Sequence, residues 1–308
     1  MDEDTPQTDG GSQAIQPPSG TTGEIAGDAT GENDADHGDP SPDASEFLGK
    51  DVVAGYPGSE EPVIDDVTIR LPPGQVTALI GPNGSGKSTL LSGLADQLSI
   101  DDGTVLLDGT DVHTLEAKEL ARKLGLLSQE NVAPDSLSVA DLVGHGRYPH
   151  RGFFESLTEA DREAIDEAID LAGVGHLRDR EVGSLSGGQQ QLVWIAMALA
   201  QGTDVLLLDE PTTFLDMHHQ LEVMGIVERL RDEREVTVGI VLHDIEQAAR
   251  YADHVVALRD GAVYDRGPPE AVITEGLLAE VFGVEARVTV TDSGPRVTPL
   301  RALHDGDG

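Results

Sequence analysis

Val76-Thr77-Ala78-Leu79-Ile80-Gly81-Pro82-Asn83-Gly84-Ser85-Gly86-Lys87-Ser88-Thr89-Leu90-Leu91 is the stretch on which the reading of this chain turns. An apolar run of strand character, Val76 to Ile80, passes through a glycine-rich turn into a helical pattern. The turn has the spacing Gly-x-x-x-x-Gly-Lys-Ser, which marks a phosphate-binding loop when it stands between a strand and a helix. Glycines let backbone N–H groups converge on an anion, and the helix start adds unpaired donors and its dipole. Gly81, Pro82, Asn83, Gly84, Ser85 and Gly86 are therefore the expected phosphate cradle, with Thr89 in the first helical turn. Lys87 is expected against the β- and γ-phosphates of a nucleotide, and the Ser88 hydroxyl on Mg²⁺.

Composition bounds what surrounds this loop. The chain has 308 residues, enough for a large buried core, and a formal net charge of −37. Residues 1–46 hold twelve acidic residues and no Lys or Arg, which leaves −25 on the remaining 262, so the acidity belongs to the folded part too. Such a surface is expected where abundant salt screens self-repulsion, as in a halophile. It argues against nucleic-acid binding, which needs basic patches. The absence of cysteine excludes disulfides and thiolate metal sites. With no leader pattern and no apolar run near eighteen residues, a cytosolic chain is expected, reaching a membrane only through a partner.

Residues 1–46, rich in Gly, Ser, Thr, Pro and Asp, are expected to be a disordered acidic tail. A folded domain is expected over 47–285 and a hairpin extension with a tail over 286–308. Val52-Val53, Val63 to Leu71 and Thr104 to Leu107 read as strands between turn signals. Ser136 to Arg180 reads as helical, with Thr158-x-x-Asp161 as a capping box, and a further helix is expected over Gly188 to Ala200. The apolar runs Val205 to Leu208 and Val236 to Leu242 read as buried parallel strands. Helices are expected over Asp216 to Arg234, Ile245 to Tyr251 and Glu270 to Val281. A hairpin should come last, Ala286 to Val290 and Arg296 to Leu300, turning near Ser293-Gly294.

Two further segments carry chemistry. The run Val205 to Leu208 ends in Asp209-Glu210: Asp209 is expected to hold Mg²⁺, and Glu210 to polarise the water that attacks the γ-phosphate. Leu185-Ser186-Gly187-Gly188-Gln189 opens a helix with two glycines and a hydroxyl, again a phosphate-facing arrangement. With that segment the sequence resembles the ATP-binding cassette (ABC) ATPases over about residues 50 to 300.

The resemblance implies an α/β fold, a P-loop NTPase with a RecA-like core, an antiparallel β subdomain and an inserted helical signature subdomain at about 135–190. It implies that Ser186, Gly187, Gly188 and Gln189 face the nucleotide of a second copy, so that two ATP molecules lie between two head-to-tail chains. It also assigns Gln129 to the Q-loop, touching Mg²⁺ and water, and His243 to the switch histidine that contacts the γ-phosphate and orients Glu210. Asp216 falls in the D-loop at the dimer interface, and Tyr56 matches the aromatic that stacks on adenine. Phe214 stands where a small residue is common, a departure that occurs in one importer subgroup.

Gly144-His145-Gly146-Arg147-Tyr148-Pro149-His150 is similar to a segment of the ATPases that serve iron-chelate, haem and cobalamin importers. So are Met217-His218-His219-Gln220 and the pair Gln247-Ala248. His145, His150, His218 and His219 lack ligand spacing and are expected to be surface residues, with the transported metal never touching the chain. The resemblance thus implies an ATPase subunit with ATP and Mg²⁺ as cofactors, a second copy of itself and separate membrane permeases as partners, and an extracellular binding protein acting indirectly. It implies a location on the cytoplasmic face of the membrane. The alternatives are a non-transport ABC ATPase of the iron–sulfur cluster assembly type, which lacks the 144–150 segment, and a regulatory module without turnover, against which Glu210 and His243 speak.

Overall fold

The computed structural model describes residues 46–59, 61–152, 155–291 and 294–303. The tail expected over 1–46 lies outside the described residues except for Glu46, as does Ser293 of the expected hairpin turn.

In chain order the elements are β1 (Phe47–Ala54), β2 (Ile64–Leu71), β3 (Val76–Ile80), α1 (Lys87–Leu94), β4 (Ile100–Leu107), β5 (Thr110–Asp111), α2 (Ala117–Lys123) and β6 (Leu124–Leu127). The helical portion comes next, with α3 (Val139–Gly144), α4 (Glu159–Leu171) and α5 (Gly187–Ala200). The chain then returns through β7 (Val205–Leu208), α6 (Met217–Arg234), β8 (Thr237–Val241), α7 (Ile245–Tyr251), β9 (His254–Arg259) and β10 (Ala262–Gly267). It ends with α8 (Pro269–Val272), α9 (Glu275–Glu280) and the hairpin β11 (Val284–Thr291) and β12 (Gly294–Ala302).

Two larger sheets result. One is antiparallel, β2-β1-β4-β5; the other runs β10-β9-β3-β8-β7-β6, parallel from β9 to β6 with β10 antiparallel at its edge. This is the mixed α/β architecture expected of the fold class. Every residue of β3, β7 and β8 is buried, because helices cover one face and the antiparallel layer with α1 the other. The period of two sorts the side chains. Val76, Ala78 and Ile80 of β3, with Leu206 and Leu208 of β7, join the core shared with α5 and α6. Leu79, Val205 and Leu207 join the core shared with α1, β1 and β2.

Two expected helices are divided. Between Ser136 and Arg180, α3 passes into a 3₁₀ turn over His145–His150 that contains Pro149, whose ring cannot continue a helix. α4 restarts where Thr158 and Asp161 form the expected capping box. The helix expected over Glu270 to Val281 is α8 and α9, restarted by the Thr274 hydroxyl, which accepts from Leu277 N–H. The edge strand β10 has mixed polarity and was not legible as a strand.

β6, β7, β8 and β3 are successive neighbours, and each leads at its carboxyl end into a motif: Gln129, Asp209-Glu210, His243 and the glycine loop respectively. Parallel strands place their carboxyl ends at one edge, where open α/β sheets bind ligands.

Candidate functional site

The glycine loop enters from β3 with Gly81 at φ 153°, its Cα so close to β9 that an added Cβ would stand 2.3 Å from the Leu258 carbonyl oxygen. Gly86, in the left-handed region at φ 97°, is the N-cap of α1. Lys87 is buried, and its ammonium donates to the carbonyls of Gly81 and Pro82, each at 3.0 Å. Burial pushes the lysine pKa down, against the opposing pull of Glu210 and Asp209. Beside it the Ser88 hydroxyl donates to Asp209 Oδ1 at 2.9 Å. Asp209 is fixed through its own N–H, which donates to the Leu127 carbonyl of β6. Burial raises the Asp209 carboxyl pKa, with the Ser88 hydrogen bond acting in the other direction.

Glu210 is held at three points. Gln129 Nε2 donates to its Oε2 at 2.7 Å, Thr213 Oγ1 donates to the same oxygen at 3.3 Å, and His243 Nε2 lies 2.5 Å from Oε1. Glu210 itself has φ 51°, a left-handed backbone that turns its side chain from the strand end towards these partners. The motif ends converge on a cleft of about 910 Å³ lined by Tyr56, Asn83, Gly84, Gly86, Lys87, Ser88, Thr89, Gln129, Glu210 and His243, among others. Tyr56 is half exposed at the cleft margin, with its hydroxyl 3.3 Å from Thr89 Oγ1. A smaller cavity of about 260 Å³ between α4, α5 and α6 contains none of these groups.

Ser186, Gly187, Gly188 and Gln189 are not in this cleft. They start α5, where the Ser186 hydroxyl accepts from Gln189 N–H at 3.3 Å and Gln189 Oε1 accepts from Ser186 N–H at 3.2 Å. Asp216 also stands outside, exposed at the N-cap of α6. Its Oδ1 accepts from the backbone N–H of His219 at 3.0 Å and pairs with the ring Nδ1 at 2.9 Å. These bonds from His219, the backbone one foremost, lower the Asp216 pKa.

Three of the four histidines expected at the surface, His145, His150 and His219, are partly covered. His219 packs its ring over Gly188, and His150 Nε2 meets the Gln201 carbonyl at 2.7 Å. Arg147 donates to Asp161 Oδ1 at 3.0 Å and to the Ala200 carbonyl at 2.8 Å. The 144–150 segment therefore grips the C-terminus of the helix that begins with Ser186-Gly187. Tyr148, in contrast, is exposed and stacks on His145 at 5.0 Å.

Sequence reasoning gave no site role to Thr212, Thr213, Asp244, Gln220 or Gln247, which also line the cleft. Thr212, Thr213 and Asp244 adjoin assigned motif residues. Gln220 and Gln247 stood only as subgroup markers, so their place in the cleft required the packing of α6 against α7.

The chain matches the family model described as "ABC transporter" over residues 64–213. It is 42% identical over 252 residues, 82% of this chain and 92% of the relative, to the ferric enterobactin transport ATP-binding protein FepC of Escherichia coli. It is 39% identical over 244 residues, 79% of this chain and 60% of the relative, to the cobalamin import ATP-binding protein BtuD of Halobacterium salinarum. Among solved structures it resembles an ATP-binding cassette in a dimeric post-hydrolysis state bound to ADP and Pi. There the TM-score is 0.64 at 28% identity, over 72% of this chain and 98% of that one.

Proposed function

The chain belongs to the ABC transporter ATP-binding proteins, and from that premise we propose that it powers import of a ferric siderophore, or of cobalamin or haem, with the cleft at the ends of β3, β6, β7 and β8 as its ATPase site. It is the ATP-hydrolysing subunit of an importer. The observation that carries the site assignment is the triple hold on Glu210 by Gln129, Thr213 and His243, opposite Lys87 and the Ser88–Asp209 pair.

In this reading the backbone of Gly81 to Gly86 binds the phosphates and Tyr56 covers the adenine. Lys87, now on the carbonyls of Gly81 and Pro82, would pair the β- and γ-phosphates. Glu210 accepts a proton from the attacking water, while Gln129 and His243 fix the carboxylate against rotation. Mg²⁺ fits the donor set. Ser88 and Asp209 present hard oxygens 2.9 Å apart, and the burial that raises the Asp209 carboxyl pKa is relieved by a cation. Those two residues, with Gln129, would hold the ion, which would neutralise charge on the phosphates.

A second copy supplies Ser186 to Gln189 across the nucleotide, with Asp216 at the junction of the two copies. Permease subunits dock near Gln129 and the exposed Tyr148, and through them the chain lies on the cytoplasmic face of the membrane. Among the described residues no helix is long and apolar enough to cross it. An extracellular binding protein delivers the cargo. Because only a state that binds ATP more tightly can be favoured by it, closure of the dimer is the coupled step. A strain lacking this chain, supplied with labelled ferric siderophore, haem or cobalamin, tests the reading: selective loss of uptake of one of them supports it. Uptake of all three at parental rates rejects it.

A further inference from the structure

Three polar side chains at the margin of the cleft bond mainly to one another and to backbone. Thr212 Oγ1 donates to Gln247 Oε1 at 3.1 Å, and Gln247 Nε2 donates to Gln220 Oε1 at 3.2 Å. Gln220 Nε2 donates in turn to the carbonyls of Leu215 at 3.2 Å and Thr212 at 3.4 Å, which closes a ring. The two carbonyls fix its polarity. They can only accept, so Gln220 must present nitrogen to them and oxygen to Gln247. Gln247 must then present nitrogen to Gln220 and oxygen to the Thr212 hydroxyl. Thr212 is buried, and the two glutamines are half-buried.

The ring joins two segments with different tasks. Gln247 sits in the first turn of α7, where its N–H donates to the cap residue Asp244, next to His243. Leu215, whose carbonyl the ring holds, immediately precedes Asp216. The intervening Phe214 is 97% exposed and has φ 62°, a conformation that a bulky residue keeps only when its surroundings impose it.

We propose that Thr212, Gln220 and Gln247 act as one positioning unit that locks the Phe214–Asp216 turn to the start of the helix after His243, so that nucleotide contact at His243 and partner contact at Asp216 occur together. The inference rests on the nucleotide-sandwich dimer of the proposed function. The three residues are positioning residues: they set the turn and leave phosphate binding to the glycine loop.

The test uses the full chain carrying Glu210→Gln, in high salt with MgATP, with dimer formation followed by light scattering and monomer affinity by a fluorescent ATP analogue. Thr212→Val, Gln220→Leu, Gln247→Leu and the Gln220→Leu/Gln247→Leu pair are compared. Each single change is expected to weaken ATP-dependent dimerisation by roughly tenfold, and the pair by no more than about twofold beyond the worse single, because members of one network are not additive. Monomer affinity for the analogue stays within about twofold in all of them, since backbone donors supply it. With Glu210 restored, kcat falls while KM holds. Parental dimerisation in Thr212→Val overturns the proposal, as do additive losses or a matching loss of monomer affinity. Thr212→Val removes one hydroxyl and carries the test even where a glutamine variant fails to fold. A Glu210→Gln parent that stays monomeric with ATP overturns the sandwich reading itself, so the two failures are distinguishable.

Discussion

His243 Nε2 lies 2.5 Å from Glu210 Oε1, joining the ends of the neighbouring strands β8 and β7 across the candidate site. Gln129 holds the other carboxylate oxygen at 2.7 Å, so both oxygens are fixed before any water arrives. Glu210→Gln keeps the shape and removes the proton acceptor. It should bind ATP while lowering phosphate release by about 10²- to 10⁴-fold, the range for loss of a general base. Phosphate release at the parental rate removes Glu210 from that role. His243→Ala should act mainly on kcat, which steady-state kinetics over a range of ATP concentrations will separate from KM.

Lys87→Ala tests the other wall of the cleft. Burial lowers the pKa of this ammonium, and the nearby carboxylates of Asp209 and Glu210 oppose that shift. Removing it leaves those two carboxylates without their cation beside the incoming phosphates. ATP affinity by calorimetry should fall by at least about tenfold, as expected when a charge-assisted contact of roughly 1.5–3 kcal/mol is lost. Undiminished affinity contradicts the placement of phosphate on this loop.

The Arg147–Asp161 pair makes a prediction about pH. Both side chains are largely buried, and the Asp161 pKa is lowered to about 2, first by the Thr158 hydroxyl and then by further bonds that include Arg147. A carboxyl with a lowered folded-state pKa contributes stability that is complete above its unfolded value near 4 and is lost as pH falls towards 2. Asp161→Asn should therefore be less stable than the parent at pH 6 in urea denaturation, with the difference shrinking between about pH 4 and pH 2. Arg147→Ala should cost about 3 kcal/mol at neutral pH by leaving that carboxylate unpaired. A constant difference between the parent and Asp161→Asn down to pH 2 rejects the lowered pKa.

Charge sets the salt dependence. At −37, with 57 acidic residues against 20 Lys and Arg, the chain repels itself. Raising KCl from about 0.1 M to 1 M shortens the screening length from about 10 Å to about 3 Å. The thermal midpoint should rise over that range; a flat or falling midpoint contradicts a repulsion-limited fold.

How much of this was legible in the sequence depends on how local each feature is. The strand-loop-helix at Val76 to Leu91, the carboxylates after Leu208 and the cap at Ser186 declare themselves by neighbours in the chain, and each is found on the element expected of it. The stretch expected to be helical from Ser136 to Arg180 changes from α to 3₁₀ at His145, ahead of Pro149, which lacks the N–H that an α-helix would use there. Edge strand β10 was missed since its residues Tyr264, Asp265 and Arg266 face solvent and carry no alternation. The Thr212–Gln247 and Gln220–Gln247 contacts became apparent only when α6 and α7 came together, as hydrogen bonds between residues up to 35 positions apart leave no periodic mark.

Gly188 and His219 give a last prediction, one in which local propensity and packing have opposite signs. Alanine is favoured over glycine in a helix by roughly 0.8–1 kcal/mol, so Gly188→Ala in α5 would ordinarily stabilise. A Cβ at Gly188, however, would stand 2.5 Å from His219 Cγ, inside contact distance, and the ring is tethered by its bond to Asp216. The imidazole must move and that bond must yield, so Gly188→Ala should lower the thermal midpoint. His219→Ala removes the obstacle. In that background the same Gly188→Ala change should be neutral or stabilising, and a double-mutant cycle of melting midpoints reads the change of sign directly. Equal destabilisation by Gly188→Ala in both backgrounds rejects the contact between the start of α5 and the first turn of α6.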